Sequence, residues 1–300
     1  GVSRTTIWKY MKYFREAGYQ IKSSSKLGYQ LVDTPEILLP EEIKRELSTT
    51  VMGSTVIHYS QVNSTNKIAK NQAESGADEG TIIIAEEQLG GKGRLEREFY
   101  SPQGGIWLSC ILKPDLKPVL ATRATYLASL ALVKTIRNFT GLKAVIKWPN
   151  DILINDKKVS GILTEMGAEL DKINYLVVGL GINANFPLTK FPSELHSKVT
   201  TFYNQLGEKI NRVKFVQQML TEIENLYADL TEFNKLISAW KKYSYTLGKQ
   251  VKVSTGNKET IGHAEDIAAD GALVVNIQGK KKKFYSGELS LTHQNFSSDN

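Results

Sequence analysis

The stretch AEEQLGGKGRLEREFYSPQGGIWLS, residues 85–109, joins two predicted buried strands, Thr81–Ala85 and Ile106–Leu112. Between the strands, glycines and cations are interleaved: Gly90, Gly91 and Gly93 with Lys92, Arg94 and Arg97. Because glycine lets the backbone approach a ligand and successive amide N–H groups form an anion nest, this composition favours a phosphate-binding loop. It is equally typical of a solvated hairpin tip, so the loop alone leaves both interpretations open.

The composition is that of an ordinary soluble protein with one large or two to three smaller domains. Of 300 residues, 41% are hydrophobic and 23% are charged, and the net charge is +7. Apolar stretches such as Tyr126–Val133 are shorter than the roughly 20 residues that cross a bilayer, and no signal peptide is recognisable. The single cysteine, Cys110, excludes an internal disulfide framework and is interpreted as a buried thiol. We therefore expect a cytoplasmic protein with no membrane partner.

The first 30 residues are basic, with six lysines or arginines and one acid, Glu16. Ser3 is expected to cap a helix from Arg4 to Ala17, and Gly18 is expected to end it. Two short strands, Gln20–Ser23 and Tyr29–Val32, follow. This order predicts the recognition helix and wing of a partial winged helix-turn-helix, residues 1–34. The predicted DNA-binding residues are Ser3, Arg4, Thr5, Thr6 and Lys9.

The first helix of that motif is missing, so we interpret the chain as an N-terminally trimmed fragment of a longer protein. Clustered positive charge indicates a polyanion as partner, although a small basic dimerisation module has the same composition. We expect operator DNA to be the partner of the full-length parent.

The rest of the chain predicts an α+β fold. A linker spans residues 35–48, and residues 49–246 alternate short strands with long helices, including a helix over Pro118–Phe139 that Gly141 stops. Strands in hairpin succession beside long helices favour a mixed sheet over a doubly wound one. Residues 247–295 change to short β segments separated by turn residues, which predicts a small barrel. The predicted strands are Val251–Ser254, Thr260–Asp266, Ala272–Ile277 and Lys281–Ser286.

Five short stretches stand in a fixed order: NSTN (Asn63–Asn66), the glycine loop, KWPND (Lys147–Asp151), KVSGILTE (Lys158–Glu165) and GLGIN (Gly179–Asn183). GLGIN lacks the third glycine of a dinucleotide fingerprint, and the glycine loop lacks the P-loop pattern. Together the five stretches resemble the biotin protein ligases, and the partial winged helix in front resembles the bifunctional ligase/repressor kind.

This resemblance implies a catalytic domain like those of class II aminoacyl-tRNA synthetases and an SH3-like C-terminal barrel. It implies two reactions with ATP, biotin and Mg²⁺. The biotin carboxylate attacks the α-phosphorus of ATP to give biotinyl-5′-AMP, and a lysine of a biotin carboxyl carrier protein then attacks this anhydride. We also expect a homodimer.

The resemblance also implies residue roles. Lys158, Arg94 and Asp151 are the predicted catalytic residues, with Asp151 orienting or deprotonating the acceptor amine, although a structural salt bridge would also account for it. The predicted biotin-binding residues are Ser64, Thr65, Asn66, Gln88, Lys92, Gly93, Arg94, Lys158 and Gly161. The predicted adenylate-binding residues are Gly91, Arg94, Arg97, Phe99, Asn150 and Asn183. Trp107 and Trp148 are candidate wall residues of the biotin pocket. No metal site formed by the protein's own side chains is expected.

The loop departs from the family pattern GRGRxGR plus tryptophan. In GKGRLEREF, Lys92 replaces an arginine, Glu96 a glycine and Phe99 the tryptophan. Lys92 keeps the charge but not the bidentate fork, and Glu96 adds an acid near the phosphates. Two alternatives remain: a lipoate or octanoate ligase of the same fold, and a sensor that binds biotin without catalysis.

Overall fold

The computed structural model describes residues 1–16, 18–33, 36–256 and 258–291. The chain divides into two compact units, one of residues 1–37 and one beginning at Leu38. The predicted helix end at Ala17, the junction of residues 34 and 35, and the predicted end of the last domain at residue 295 lie outside the described residues. The domain boundaries therefore stay predictions.

The first unit consists of helix α1 (Arg4–Glu16) and the antiparallel strands β1 (Gln20–Ser24) and β2 (Gly28–Asp33). The Ser3 hydroxyl accepts the Thr6 amide hydrogen at 3.2 Å, which confirms the predicted cap. No residue of α1 is buried. The five predicted DNA-binding residues thus lie at or near the accessible N-terminal end of α1.

Within the described residues, the second unit contains a seven-stranded sheet, a five-stranded barrel sheet and six α-helices. The large sheet comprises β3 (Val56–Tyr59), β4 (Ile82–Ala85), β5 (Ile106–Leu112), β6 (Val145–Lys147), β7 (Asp151–Ile154), β8 (Lys157–Glu169) and β9 (Lys172–Ile182). The helices are α2 (Pro40–Arg45), α3 (Thr65–Glu74), α4 (Arg123–Thr140), α5 (Phe202–Leu206), α6 (Arg212–Tyr227) and α7 (Phe233–Lys241). The barrel strands are β10 (Gln250–Thr255), β11 (Lys258–Ile267), β12 (Leu273–Ile277), β13 (Lys280–Phe284) and β14 (Glu288–Leu291).

The large sheet has the strand order β3-β4-β5-β9-β8-β7-β6. Only the pair β3–β4 is parallel among these strands, and every other neighbouring pair is antiparallel. The predicted mixed sheet is confirmed.

Helices cover both faces of this sheet, and the strand residues alternate between two cores. Ile83, Ile111 and Val177 pack with α3, whereas their neighbours Ile82 and Val178 belong to the larger core with α4, α6 and α7. Period-two alternation thus fixes which side chains face α3.

The segment Pro118–Thr140 is, within the described residues, the one helical stretch long and apolar enough to cross a membrane. However, 61% of its most apolar part is buried inside the protein, as in a helix that packs in a protein core. Gly141 follows α4 with φ of 73°, the left-handed conformation predicted for the residue that ends it.

The C-terminal strands pair in the order β13-β12-β11-β10-β14. Four of the five were predicted; β14 was not, because it has only four residues and follows Gly287 directly. The Tyr126 hydroxyl donates to the Gly271 carbonyl at 2.7 Å, so α4 contacts the barrel.

Candidate active site

A cavity of about 270 Å³ lies where the glycine loop crosses strands β8 and β9. Its walls come from the start of α3, the glycine loop, the turn between β6 and β7, strands β8 and β9, and the start of β14. The fold brings most predicted site residues to this cavity: Ser64, Thr65, Asn66, Gln88, Lys92, Gly93, Arg94, Arg97, Phe99, Asn150, Asp151, Lys158 and Gly161.

One end of the cavity is a neutral hydrogen-bonded cluster. The Thr65 amide and hydroxyl both donate to Gln88 Oε1, at 2.8 and 3.0 Å. Gln88 Nε2 donates to the Ser101 hydroxyl at 2.9 Å, which fixes the orientation of the amide. Ser64 caps α3 by accepting the Lys67 amide hydrogen. The polar groups of α3 and of the glycine loop therefore converge at this end of the cavity.

A second layer of polar groups holds Asn66. The Ser109 hydroxyl lies 2.6 Å from Asn66 Oδ1 and 2.8 Å from Thr65 Oγ1. Asn66 Nδ2 donates to Glu165 Oε2 at 2.9 Å, and Glu165 pairs with Lys70 at 3.0 Å. Both ends of the Asn66 amide are thus fixed. Sequence reasoning did not single out Ser109, since a serine in a buried strand carries no motif signal.

Glycines form the floor of the cavity. Gly161 on β8 and Gly181 on β9 are cross-strand partners, and the Phe99 ring lies over them. A Cβ atom would lie 3.0 Å from the ring at Gly161 and 2.5 Å from it at Gly181. At Gly179 a Cβ would lie 2.1 Å from Asn66 Oδ1. Side chains on this floor would therefore displace either Phe99 or Asn66.

The other end of the cavity is cationic. Lys158 Nζ and Asp151 Oδ1 form an ion pair at 2.7 Å, although their relative orientation is not that of a hydrogen bond. Lys158 Nζ also lies 5.5 Å from the centroid of the Phe99 ring. Lys147, the cross-strand partner of Asp151, also lines the cavity. Burial lowers the pKa of Lys147, the Asp151 charge opposes that shift, and the Lys158 charge adds to it. Sequence reasoning did not assign Lys147, although it begins the KWPND stretch.

Arg94 closes this end from the loop. Its Nη1 atom donates to Asn150 Oδ1 at 3.4 Å, and Asn150 Nδ2 donates to the Ile162 carbonyl at 2.8 Å. Burial lowers the pKa of Arg94, and the charges of Asp151 and Glu288 oppose that shift. Arginine nevertheless stays protonated in proteins, so the site keeps a permanent cation here.

A second cavity of about 250 Å³ adjoins the first. The two share walls at Arg94, Trp148 and Asn150, and the second is also lined by Thr125 and Tyr285. An elongated ligand could therefore occupy both, passing Arg94 at the junction.

Three sequence profiles match the chain. The biotin/lipoate A/B protein ligase family matches residues 58–183, the biotin protein ligase C-terminal domain matches 246–291, and a helix-turn-helix domain matches 1–30. The bifunctional ligase/repressor BirA of Bacillus spizizenii is 38% identical over 97% of this chain and 90% of its own length. The chain belongs to the biotin protein ligase family.

Two further members of the biotin protein ligase family are similar to this chain in sequence or structure. The biotin–[acetyl-CoA-carboxylase] ligase of Paracoccus denitrificans is 29% identical over 72% of this chain and 91% of its own length. The biotin protein ligase of Aquifex aeolicus, solved in complex with biotin and ATP, superimposes with a TM-score of 0.69 at 28% identity. That match covers 80% of this chain and 99% of the Aquifex chain.

The loop that departs from the biotin protein ligase pattern is a hairpin whose side chains reach the cavity. The Phe99 amide donates to the Gly91 carbonyl at 2.8 Å, and the Gly93 amide donates to the Arg97 carbonyl at 2.7 Å. Lys92 pairs with Glu96, and Arg97 pairs with Glu288 of β14. The hairpin interpretation is thus right for the backbone, and the loop is a cavity wall as well.

Not every predicted site residue reaches the cavity of this ligase. Asn183 is buried, its side chain donates to the Thr200 carbonyl at 3.0 Å, and it does not line either cavity. Gly91 packs against Phe99 O within the hairpin instead, where a Cβ would lie 2.5 Å away. Trp148 lines both cavities, whereas Trp107 supports Phe99 from behind at 6.0 Å between centroids. The geometry therefore gives Asn183, Gly91 and Trp107 supporting positions.

Cys110 is fully buried in β5, and burial raises the pKa of its thiol to about 12. A thiol that stays protonated is a poor nucleophile. The prediction that Cys110 is a buried free thiol is confirmed.

Proposed function

We propose that the protein is an ATP-dependent biotin–protein ligase, which forms biotinyl-5′-AMP and transfers biotin to a lysine of a biotin carboxyl carrier protein. The observation that carries the proposal is the polarity of the cavity, with the neutral cluster of Thr65 and Gln88 at one end and the cations Lys158 and Arg94 at the other. Biotin has the same polarity, since a ureido ring and a carboxylate stand at its two ends. The names of the relatives support it.

In the first step, a biotin carboxylate oxygen attacks the α-phosphorus of ATP and pyrophosphate leaves. Both reactants are anions, so neutralisation and alignment supply most of the catalysis. Lys158 binds the carboxylate and α-phosphate, while Arg94 holds the phosphate at the junction of the two cavities. The nucleoside occupies the second cavity beside Trp148 and Asn150. Arg97 and Phe99 line the first cavity, where they close the loop over the α-phosphate.

In the second step, the neutral amine of the carrier lysine attacks the acyl carbon of the adenylate and AMP leaves. The amine loses a proton as the amide forms, and Asp151 is the carboxylate positioned to accept it. The ion pair with Lys158 keeps Asp151 at the reaction centre. A structural salt bridge and a catalytic role are thus compatible for the same side chain.

Mg²⁺ accompanies the triphosphate of ATP and neutralises part of its charge. Among the described residues, no group of three or more histidine, cysteine, aspartate or glutamate side chains is arranged for a metal. Asp151 and Asn150 provide oxygen ligands of the kind Mg²⁺ prefers, which fits a metal that arrives with the nucleotide.

We also propose that residues 1–34 give the protein a second role as a DNA-binding repressor of biotin genes, and that it works in the cytoplasm as a homodimer. Residues 49–246 form the catalytic domain and 247–295 the C-terminal domain, with a linker over 35–48. The helix-turn-helix match over 1–30 and the name of the Bacillus relative support the repressor role.

The test is ATP–pyrophosphate exchange with biotin, lipoate or octanoate, followed by label transfer to a carrier domain. Exchange and carrier labelling with biotin are expected. Exchange with lipoate or octanoate alone would refute the proposal in favour of another acyl ligase. Exchange with biotin but without carrier labelling would identify a sensor.

A further inference from the structure

Ser109 is a fully buried residue of β5 beneath the neutral end of the cavity. It does not line the cavity, yet its hydroxyl contacts two residues that do, Thr65 Oγ1 at 2.8 Å and Asn66 Oδ1 at 2.6 Å. Any influence of Ser109 on a ligand must therefore act through these two side chains.

The hydroxyl protons of this cluster are too few for its contacts. Three oxygen–oxygen contacts link Gln88 to Thr65 at 3.0 Å, Thr65 to Ser109 at 2.8 Å, and Ser109 to Asn66 at 2.6 Å. Each hydroxyl has one proton, so Thr65 and Ser109 together fill only two of the three contacts. One of the three contacts therefore contains no proton, and the cluster has an acceptor position open to a donor from a ligand.

A ligand N–H group completes the cluster. When it donates to Gln88 Oε1, the Thr65 hydroxyl is free to turn to Ser109, and the Ser109 hydroxyl then donates to Asn66. The ligand proton replaces the hydroxyl proton that Gln88 Oε1 gives up, and Gln88 Oε1 keeps the Thr65 amide as its second donor. The contacts of Thr65 with Ser109 and of Ser109 with Asn66 then each contain a proton. A ligand that offers only an acceptor at this position cannot replace the hydroxyl proton.

We propose that Ser109 is a positioning residue that makes the neutral end of the cavity selective for a ligand with N–H donors. This rests on the proposed function, in which the donors are those of the biotin ureido ring. Ser109 does not contact the ligand; it orients the hydroxyl of Thr65 and the amide oxygen of Asn66.

The test compares wild type, Ser109→Ala and Ser109→Thr by pyrophosphate exchange, with biotin and ATP varied separately. Ser109→Ala is expected to raise KM for biotin about tenfold, the effect of one lost hydrogen bond, while kcat and KM for ATP change less than about twofold. Desthiobiotin keeps the ureido ring but lacks the sulfur, and in Ser109→Ala its KM is expected to rise by the same factor. Ser109→Thr keeps the hydroxyl and is expected to restore much of the biotin affinity.

Ser129→Ala is the matched control. Ser129 is also fully buried, and its hydroxyl donates to the Tyr126 carbonyl at 3.0 Å and accepts from Trp240 Nε1 at 2.9 Å, away from the cavity. Its loss is expected to lower the midpoint of thermal unfolding without changing KM for biotin.

An unchanged KM for biotin in Ser109→Ala, or equal increases for biotin and ATP, would overturn the assignment. If Ser109→Ala does not fold, Ser109→Cys takes its place, because its thiol is a weak donor and acceptor, and a rise in KM for biotin but not for ATP is again expected. Wild-type protein that shows no exchange with biotin would instead refute the proposed function, so the two failures are distinguishable.

Discussion

Glu96 is the residue of the glycine loop that the sequence left unexplained, since it replaces a glycine of the family pattern. Its φ of 58° is left-handed, the conformation that favours glycine. Its carboxylate pairs with Lys92, one of the loop cations. Glu96 thus accepts some backbone strain and neutralises a charge that would otherwise face an anionic ligand.

Glu96→Gly is therefore expected to lower KM for ATP. Lys92 loses its local counter-ion, and glycine adopts the left-handed φ without strain. Because the ion pair is exposed, the effect is about two- to threefold, as for other surface pairs. Pyrophosphate exchange with varied ATP measures it.

Glu259→Gln is the control, because it breaks an exposed pair with Lys252 on the barrel and leaves the loop intact. A higher KM for ATP in Glu96→Gly than in wild type would show that Glu96 assists binding instead of opposing it.

Lys147 predicts a pH dependence. Burial lowers its pKa below the ordinary value of 10.5, so its ammonium loses its proton at a lower pH than an ordinary lysine does. If the ammonium binds phosphate, kcat/KM for ATP falls as pH rises through this lowered pKa. Lys147→Arg keeps the charge at that pH and is expected to move the fall to higher pH.

The pH profile of pyrophosphate exchange measures this effect, because the assay contains no carrier lysine. Lys172→Arg, at an exposed position on β9, should leave the profile as in wild type. A profile that is the same in Lys147→Arg and wild type would exclude Lys147 from phosphate binding.

Among individual residues, the sequence predicts those that belong to a recognisable motif and line the cavity. It misses residues whose role depends on how the folded chain packs around them. Lys158 and Gln88 stand in recognisable stretches and reach the cavity. Asn183 also belongs to a recognisable stretch, but its side chain donates to the Thr200 carbonyl, which the spacing of the motif does not predict. Ser109 carries no motif signal and is found only through its two short contacts.

The element that most constrains the site is the paired glycine floor of β8 and β9. Gly181→Ala is expected to lower the free energy of unfolding by about 1–3 kcal/mol, since the new methyl group overlaps Phe99. The same substitution should cost less in a Phe99→Ala background, where the ring is absent. Denaturant unfolding of the four proteins gives the coupling energy.

Gly90→Ala is the control for this cycle, because its Cβ would meet no atom closer than 3.5 Å. Equal costs of Gly181→Ala in both backgrounds would mean that Phe99 does not rest on the floor in solution.

Strands and helices were predictable where apolar periodicity was strong. Ile106–Leu112 was predicted with its observed bounds, because turn residues precede and follow it. β14 was missed, and with it Glu288, because four residues after Gly287 give too short a pattern. The ion pair of Glu288 with Arg97 therefore required the tertiary structure.

At the scale of the whole molecule, the chain divides into two units, and every residue that lines the two cavities belongs to the second. A variant without residues 1–37 is therefore expected to retain pyrophosphate exchange with biotin within about twofold, since no residue of the first unit lines either cavity. Its DNA binding, measured by electrophoretic mobility shift at low salt, should be lost.

A point-substituted protein, Arg4→Ala with Lys9→Ala, is the matched comparison. It removes two exposed cations of α1 without deleting the unit, and it should weaken DNA binding and reduce its salt dependence. Loss of exchange in the deleted variant would show that the first unit supports catalysis.

The start of β14 supplies Gly287, Glu288 and Leu289 to the wall of the first cavity. A ribosome makes β14 after all the other described strands, so a nascent chain lacks this wall until translation has passed residue 289. The growing polypeptide therefore lacks a complete wall around the first cavity until the start of β14 has been made.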